Sequence, residues 1–378
     1  MTTPDSLRIG ITCYPSVGGS GILASALGEE MARRGHEVHF VSHERPFRLP
    51  PDAPNTFFHE VPLLQQRPFK YPDYTLPLAM QLAEVARTHR LHVLHAHYAV
   101  PHATAAVLAA AMLPPDQRPK VVTTLHGTDT TLLAREPGYG PAISHALNAS
   151  DGVTAVSEYL RRETRRVLNF EHPIELIHNF FEPRSPGRTR DEVRRVLGVG
   201  PEKLLVHLSN LRPIKRIELL LATVARLQPR SEFKLLILAG GDFAPFRSLV
   251  RELGLERHVI VRENVVGVED YLQAADLGLF TSASESFCLS ILEAMAVGCP
   301  SVSTRVGGIP EVAEDGVTSV LVDSADPAVL AEEVQRLIDD DARRERMGAA
   351  GYTRARTVFS ADQIVPHYER FYRQVCGR

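Results

Sequence analysis

The sequence predicts an α/β protein of two domains, each a mainly parallel sheet covered by helices on both faces. The chain has 378 residues, more than one ordinary core accommodates. Short apolar runs alternate with helix-length amphipathic stretches, and this alternation occurs twice along the chain. Between the two runs, residues 183–201 are charged and punctuated by Pro and Gly, as a linker is.

The first run opens with a buried strand expected at residues 7–14. Gly18-Gly19-Ser20-Gly21 follows, then a helix with Leu23, Leu27 and Met31 on one face that stops at Gly35. Further strands are expected at 38–42, 92–96, 120–125 and 152–156, with helices such as 77–88 and 103–112 between them. The proline-rich residues 44–73 read as surface strands and loops. The second run starts with a strand at 204–208 and continues at 234–239, 259–261, 277–281, 301–303 and 319–322. Residues 360–378 read as a final amphipathic helix carrying Ile364, Tyr368, Phe371 and Val375. The expected domains are therefore 1–183 and 184–358, followed by a terminal segment at 359–378. Parallel sheets place ligands at the carboxyl ends of their strands, and two such domains facing each other would build a deep cleft.

Composition narrows the function classes. Hydrophobic residues make up 44% and charged residues 23%, which fits a soluble globular chain. A net charge of −3 gives no global attraction to nucleic acid or to an anionic membrane. The apolar runs stop far short of a membrane span, and the first ten residues do not pair a basic segment with an apolar one. Cys13, Cys288, Cys299 and Cys376 are scattered without metal-ligand spacing. A cytoplasmic protein with reduced thiols and no essential metal is expected, and a homo-oligomer is left open.

Four segments carry chemistry. Gly18, Gly19 and Gly21 lie between the first strand and the first helix, where backbone amides can approach an anion. A tight strand–helix turn is an equal reading, because neither GxGxxG nor a Walker lysine is present. Asn210-Leu211-Arg212-Pro213-Ile214-Lys215-Arg216 puts three cations between a strand and a helix start, where cations are unfavourable unless an anion compensates them. A diphosphate suits that cluster. In Glu285-Ser286-Phe287-Cys288-Leu289-Ser290-Ile291-Leu292-Glu293, Ser284 or Ser286 is the expected helix cap. The amides of Phe287, Cys288 and Leu289 would then face a phosphate, Glu285 the hydroxyls of a sugar, and Glu293 those of a ribose. A surface glutamate on an amphipathic helix is the bland alternative for Glu293. Finally, His126 ends the strand at 120–125 beside Gly127, with Asp129 placed to orient it or to cap the next helix. His95 and His97 read as packing histidines rather than metal ligands, with Tyr98 reaching the cleft. Neither GxSxG nor HExxH occurs.

Together the Glu285-to-Glu293 spacing, the Lys215 turn, the Gly18–Gly21 loop and the His126-Gly127 strand end resemble the retaining GT-B glycosyltransferases of family 4 over nearly the whole chain. His95 to His102, Leu125 to Asp129, His178-Asn179-Phe180 and Ser209 to Arg216 bring it nearest to the members acting in bacillithiol biosynthesis. Three positions depart from the wider family: Ser209-Asn210 stands where Gly-Arg is usual, and Cys288 where glycine is commoner.

The resemblance implies two Rossmann-like domains, with the last helix returning to the first. It implies UDP-N-acetylglucosamine as donor, L-malate as acceptor and retention of the α configuration. The leaving phosphate would accept the acceptor's proton, so no enzyme nucleophile is required. His126, Lys215 and Glu285 are the implied catalytic group. Gly18, Gly19, Gly21, Asn210, Arg212, Lys215, Glu285, Phe287, Cys288, Leu289 and Glu293 would hold the donor. Ser20, Tyr98, Thr128, Asn179 and Arg212 would meet malate, with Lys70 in reserve. Other readings are a family-4 transferase with a lipid, inositol phosphate or sugar acceptor, a UDP-sugar 2-epimerase, and a non-catalytic nucleotide-sugar sensor. Arg161, Arg162, Arg165 and Arg166 form the cationic helix face a lipid acceptor would favour, although a solvated face explains them as well. An NAD-dependent oxidoreductase fits least, since its glycine fingerprint is absent.

Overall fold

The computed structural model describes residues 6–15, 19–46, 49–62, 74–182, 185–228 and 230–378. The chain divides into two compact units, Met1–Phe180 with Ala361–Arg378, and Phe181–Ser360.

The first unit carries strands β1 (Arg8–Thr12), β2 (Glu37–Ser42), β3 (Thr56–Glu60), β4 (Val93–His97), β5 (Lys120–Leu125), β6 (Gly152–Ala155) and β7 (Glu175–Leu176). Helices α1 (Gly19–Arg33), α2 (Thr75–His89), α3 (Thr104–Ala111), α4 (Thr128–Thr131), α5 (Tyr139–Asn148) and α6 (Glu158–Leu168) connect them. The sheet is parallel throughout, in the order β3-β2-β1-β4-β5-β6-β7. Its order reverses between β1 and β4, which opens a crevice at their carboxyl ends. Central strands are buried on both faces and so read as unbroken apolar runs: Ile9, Ile11, Val93, Leu94 and Val122 are all inaccessible. Helix α1 lies close on β2 because Gly28 has no side chain; a Cβ there would overlap the ring of Phe40. Helix α6 starts where Ser157 Oγ accepts the Leu160 amide at 3.0 Å, an N-cap supported by Glu158 in the first turn.

The second unit carries β8 (Lys203–Ser209), β9 (Phe233–Ala239), β10 (Val259–Glu263), β11 (Leu277–Phe280), β12 (Ser301–Thr304) and β13 (Ser319–Val322). Its helices are α7 (Arg190–Leu197), α8 (Ile217–Ala225), α9 (Arg247–Glu252), α10 (Val268–Ala274), α11 (Leu289–Ala296), α12 (Ile309–Val312), α13 (Pro327–Ile338) and α14 (Asp341–Val358). The six strands are again all parallel, ordered β10-β9-β8-β11-β12-β13, with the reversal between β8 and β11. Consecutive residues point to opposite faces. Leu205, Leu235 and Ile237 pack with Ile217, Leu220 and Leu221, whereas Leu204, Val206 and Leu236 pack with Val193 and Leu272. Each such side chain contributes about 1.5–3 kcal/mol by burial. Helix α7 opens on a capping box, in which Thr189 Oγ1 accepts the Glu192 amide and Glu192 accepts the Thr189 amide at 2.7 Å.

Helix α15 (Ala361–Val375) belongs to the first unit. Tyr368 and Tyr372 are its buried anchors, and the Tyr372 hydroxyl meets His95 Nδ1 at 2.7 Å. Phe371, expected on the buried stripe, is half-buried, and Tyr372 takes the deeper position. Within residues 44–73, the part at 56–60 is a parallel edge strand, β3. Among the described residues no helix is long and apolar enough to cross a membrane.

Candidate functional site

The polar residues singled out in the second unit gather where its strand order reverses. After β8 the chain turns through Leu211, at φ 53°, into a short 3-10 turn, Pro213–Lys215, and leaves it at Arg216, at φ 51°. The loop after β11 is laced to this turn. Thr281 Oγ1 donates to the carbonyls of Lys215 and Arg216, each at 3.1 Å, and the Ala283 amide donates to the Ile214 carbonyl at 2.7 Å. The two loops therefore fix each other, and Lys215 Nζ reaches Glu285 Oε1 at 2.5 Å. Both side chains are largely enclosed, 15% and 11% exposed. Ser282 Oγ donates to the same Glu285 oxygen at 2.7 Å. Burial pulls the Lys215 ammonium toward neutrality, but the Glu285 carboxylate outweighs it, so the lysine titrates above its ordinary value and stays charged.

A third loop, after β12, holds Glu285 from behind. The Gly308 amide donates to the Glu285 carbonyl at 2.9 Å, and Gly307 sits at φ 58° with its Cα against that carbonyl. A Cβ at Gly307 would overlap the Glu285 backbone, so only glycine fits. Thr304 Oγ1 adds a bond to the Ser282 carbonyl at 2.6 Å. Thr281, Ser282, Thr304, Gly307 and Gly308 were not singled out from the sequence. The glycine pair soon after the strand expected at 301–303 was the one local sign of them.

Neither Ser284 nor Ser286 caps the following helix. Helix α11 begins at Leu289, and Cys288 is its N-cap, with φ 75° and no side-chain cap bond. The left-handed conformation at Cys288 is one that favours glycine, which accounts for glycine being the commoner residue there. Phe287 and Cys288 thus precede the helix, while Leu289 opens it. The Phe287 ring is buried edge-on against Phe359, with centroids 5.6 Å apart. Glu293 lies within α11 and is half-buried; Asn210 and Arg212 are exposed at the end of β8. Behind the turn, His207 Nδ1 donates to the Leu279 carbonyl at 2.8 Å and Nε2 faces Ser209 Oγ at 2.8 Å. Burial lowers this imidazole to about 4, so it stays neutral.

In the first unit, Gly18 and Lys70 lie outside the described residues. Gly19, Ser20 and Gly21 do not form a loop: they are the first residues of α1. The helix starts there directly, since a first turn needs no amide partners within the helix. Tyr98 follows β4 with a positive φ of 83°, its ring 5.2 Å from that of His126 and 5.8 Å from that of Tyr14. His126 follows β5, and its Nε2 meets His97 Nδ1 at 2.9 Å. Asp129 neither orients His126 nor caps α4. It lies inside α4, whose N-cap is Gly127. Burial raises its carboxyl to about 7, opposed by the backbone amides of Ala99 and Val100. His95 is enclosed between Thr124 Oγ1 and the Tyr372 hydroxyl, each at 2.7 Å. Thr128 starts α4 after β5, and Asn179 is buried just beyond β7. Ser20, Tyr98, Thr128 and Asn179 thus all follow carboxyl ends of strands in one sheet.

Chemically, the second unit offers a charged lysine and a carboxylate fixed at the mouth of a parallel sheet, with a helix beginning four residues beyond that carboxylate. The arrangement suits a bound anion carrying hydroxyl groups.

Comparison with known proteins places this geometry. Residues 17–185 match the family described as Glycosyltransferase Family 4, and residues 189–354 match Glycosyl transferases group 1. The N-acetyl-alpha-D-glucosaminyl L-malate synthase of Bacillus anthracis is 40% identical over 372 residues, 98% of this chain and 97% of that protein. A sucrose-phosphate synthase from Thermosynechococcus elongatus shares the fold with a TM-score of 0.82 at 20% identity, over 98% of this chain and 99% of that one. The Anabaena protein HepE, solved with UDP and glucose, does so with a TM-score of 0.79 at 19% identity, over 97% and 99%.

Proposed function

The chain belongs to glycosyltransferase family 4, and on that footing we propose that it transfers N-acetylglucosamine from UDP-N-acetylglucosamine to the hydroxyl of L-malate, with retention of the α configuration, as the first step of bacillithiol biosynthesis. One observation carries the acceptor: 40% identity, sustained over 98% of this chain, to a relative named for that product. The donor reading rests on the Lys215–Glu285 pair at the β8/β11 reversal.

In this proposal Glu285 positions the sugar ring through its hydroxyls. Lys215 supplies fixed positive charge to the departing diphosphate, and the amides at the start of α11 add to it. Arg212, exposed at the same strand end, divides its guanidinium between diphosphate and malate. Glu293 takes the ribose. In the first unit, His126 stands beside the reacting centre, and Ser20, Tyr98, Thr128 and Asn179 form the acceptor set. The malate hydroxyl attacks from the face the diphosphate leaves, and the leaving phosphate oxygen takes its proton. None of these steps calls on a metal, and a cytoplasmic enzyme fits the soluble substrates.

Incubation of the purified protein with UDP-N-acetylglucosamine and a panel of acceptors tests this. L-malate should release UDP and yield a product of the mass of the glycoside. UDP release with a lipid, inositol phosphate or sugar acceptor but not with malate overturns the acceptor. An epimer formed from the donor alone, or binding without turnover, overturns the transferase reading.

A further inference from the structure

The outer edge of the seven-stranded sheet gathers three histidines from three elements. His39 of β2, His59 of β3 and His89 in the last turn of α2 offer ring nitrogens that all lie within 4.8 Å of one another. His39 Nδ1 and His59 Nε2 are 2.9 Å apart. The His89 ring centroid is 4.2 Å from that of His39 and 5.3 Å from that of His59. His39 is fully buried, and the other two are half-buried, so the cluster stands against the core but open to small solutes.

Two further contacts set the chemistry of His39. Glu37 Oε1 lies 2.8 Å from its Nε2, so Nε2–H donates to the carboxylate and the Nδ1 lone pair is directed at His59. Phe57 stacks on the ring with centroids 5.0 Å apart and holds its plane. A carboxylate behind the far nitrogen of an imidazole is the arrangement that fixes the tautomer of metal-bound histidines and raises their basicity. Neutral imidazole is the form that ligates a metal.

We propose that His39, His59 and His89 form a binding site for a divalent transition metal of the zinc, cobalt and nickel class, with Glu37 bonded behind His39 and a fourth position for water. Three imidazoles select such borderline ions over calcium or magnesium, which take oxygen ligands. Zinc–nitrogen bonds of about 2.0–2.1 Å separate tetrahedral ligands by roughly 3.3–3.4 Å. The His39–His59 gap therefore opens slightly, and His89 closes in by rotation of its half-buried side chain. His59 moves its proton from Nε2 to Nδ1 and turns its Nε2 lone pair to the ion, with no net proton released. Bound there, the ion ties the edge strand β3 to β2 and to the end of α2, a staple at the place where a sheet is weakest. The cluster lies in the first unit and Lys215 and Glu285 in the second, so donor chemistry does not pass through it.

Titration of tag-free, chelator-stripped protein with Co²⁺ and with Zn²⁺ tests the site, followed by calorimetry, Co²⁺ visible absorption and thermal melting. One equivalent should bind per chain, with a four-coordinate Co²⁺ spectrum and a higher melting temperature. The His59→Gln/His89→Gln double variant alters only half-buried positions. With an unchanged circular dichroism spectrum, it should lose affinity at least about 100-fold, and Glu37→Gln should lose about 10–100-fold. Absence of stoichiometric binding to the unaltered chain, or undiminished binding to the double variant, overturns the proposal.

Discussion

Lys215 Nζ stands 2.5 Å from Glu285 Oε1, although the two residues are 70 positions apart in the chain. The pair exists because β8 and β11 are neighbours in the sheet and their following loops are cross-bonded through Thr281 and Ala283.

Removing either member should damage turnover more than folding. Lys215→Ala deletes the charge offered to the leaving diphosphate and should lower kcat by about 10²–10³-fold. Glu285→Gln keeps the side-chain shape while losing the carboxylate, and should lower it at least about tenfold. Steady-state UDP release, with circular dichroism as the control, measures both. Near-normal kcat in either variant rejects the role assigned to that residue.

Gly307→Ala is the sharpest steric test. The added methyl must displace the Glu285 backbone at a position whose φ is 58°. A loss of about 2–4 kcal/mol in stability is expected, with a fall in activity, because strain and overlap act together. Urea unfolding reads the first and UDP release the second. An alanine variant as stable and as active as the parent would show that the loop after β12 does not hold Glu285.

Arg212→Ala removes an exposed guanidinium. It should weaken use of malate by about tenfold or more, and by more than it weakens UDP binding. Calorimetry for UDP and the malate KM separate the two effects, and an unchanged malate KM rejects the assignment.

Tyr372→Phe tests how α15 is anchored. The change strands His95 Nδ1 in a dry interior and should cost about 1–3 kcal/mol. Denaturant unfolding followed by far-UV circular dichroism measures it; a cost below about 0.5 kcal/mol would mean the bond contributes nothing net.

Stability should fall as pH drops from about 6.5 toward 4. Burial holds His95 and His102 at about 3 and His207 at about 4, below the ordinary 6.5. Across that window the unfolded chain binds protons that the folded chain refuses, so each such histidine subtracts roughly 1.4 kcal/mol per pH unit. Asp129 works in the opposite direction. Its carboxyl is raised to about 7, so the folded state takes up that proton first, but a single group is outnumbered by the histidines. Urea midpoints measured from pH 7.5 to 4.5 give the sign, and a midpoint that rises on acidification contradicts it.

Local pattern carried much of this molecule. Strand after strand was legible, since a strand buried on both faces must be apolar along its length, as Leu204–Leu205–Val206 is. Lys215 stood out within a cluster of three cations between a strand and a helix, and Glu285 as the carboxylate just before a helix. Helix starts were less legible. Ser284 and Ser286 have the residue type of a cap, but the chain reverses through a left-handed Cys288 instead, and no local signal outweighed the serines. Asp129 was misplaced for a related reason: proximity in sequence to His126 said nothing about which strand would sit alongside, and His97 of β4 became the partner.

The sequence by itself determined two parallel α/β units and the strand ends at which polar residues would appear, because alternation and burial are properties of consecutive residues. Tertiary structure alone decided which ends meet: Lys215 with Glu285, Glu285 with Gly307, His95 with Tyr372, and His39 with His59 and His89. In a doubly wound sheet, neighbouring strands at the reversal are separated by whole helices and other strands. Their loops are bonded through space across intervals that no sequence period spans.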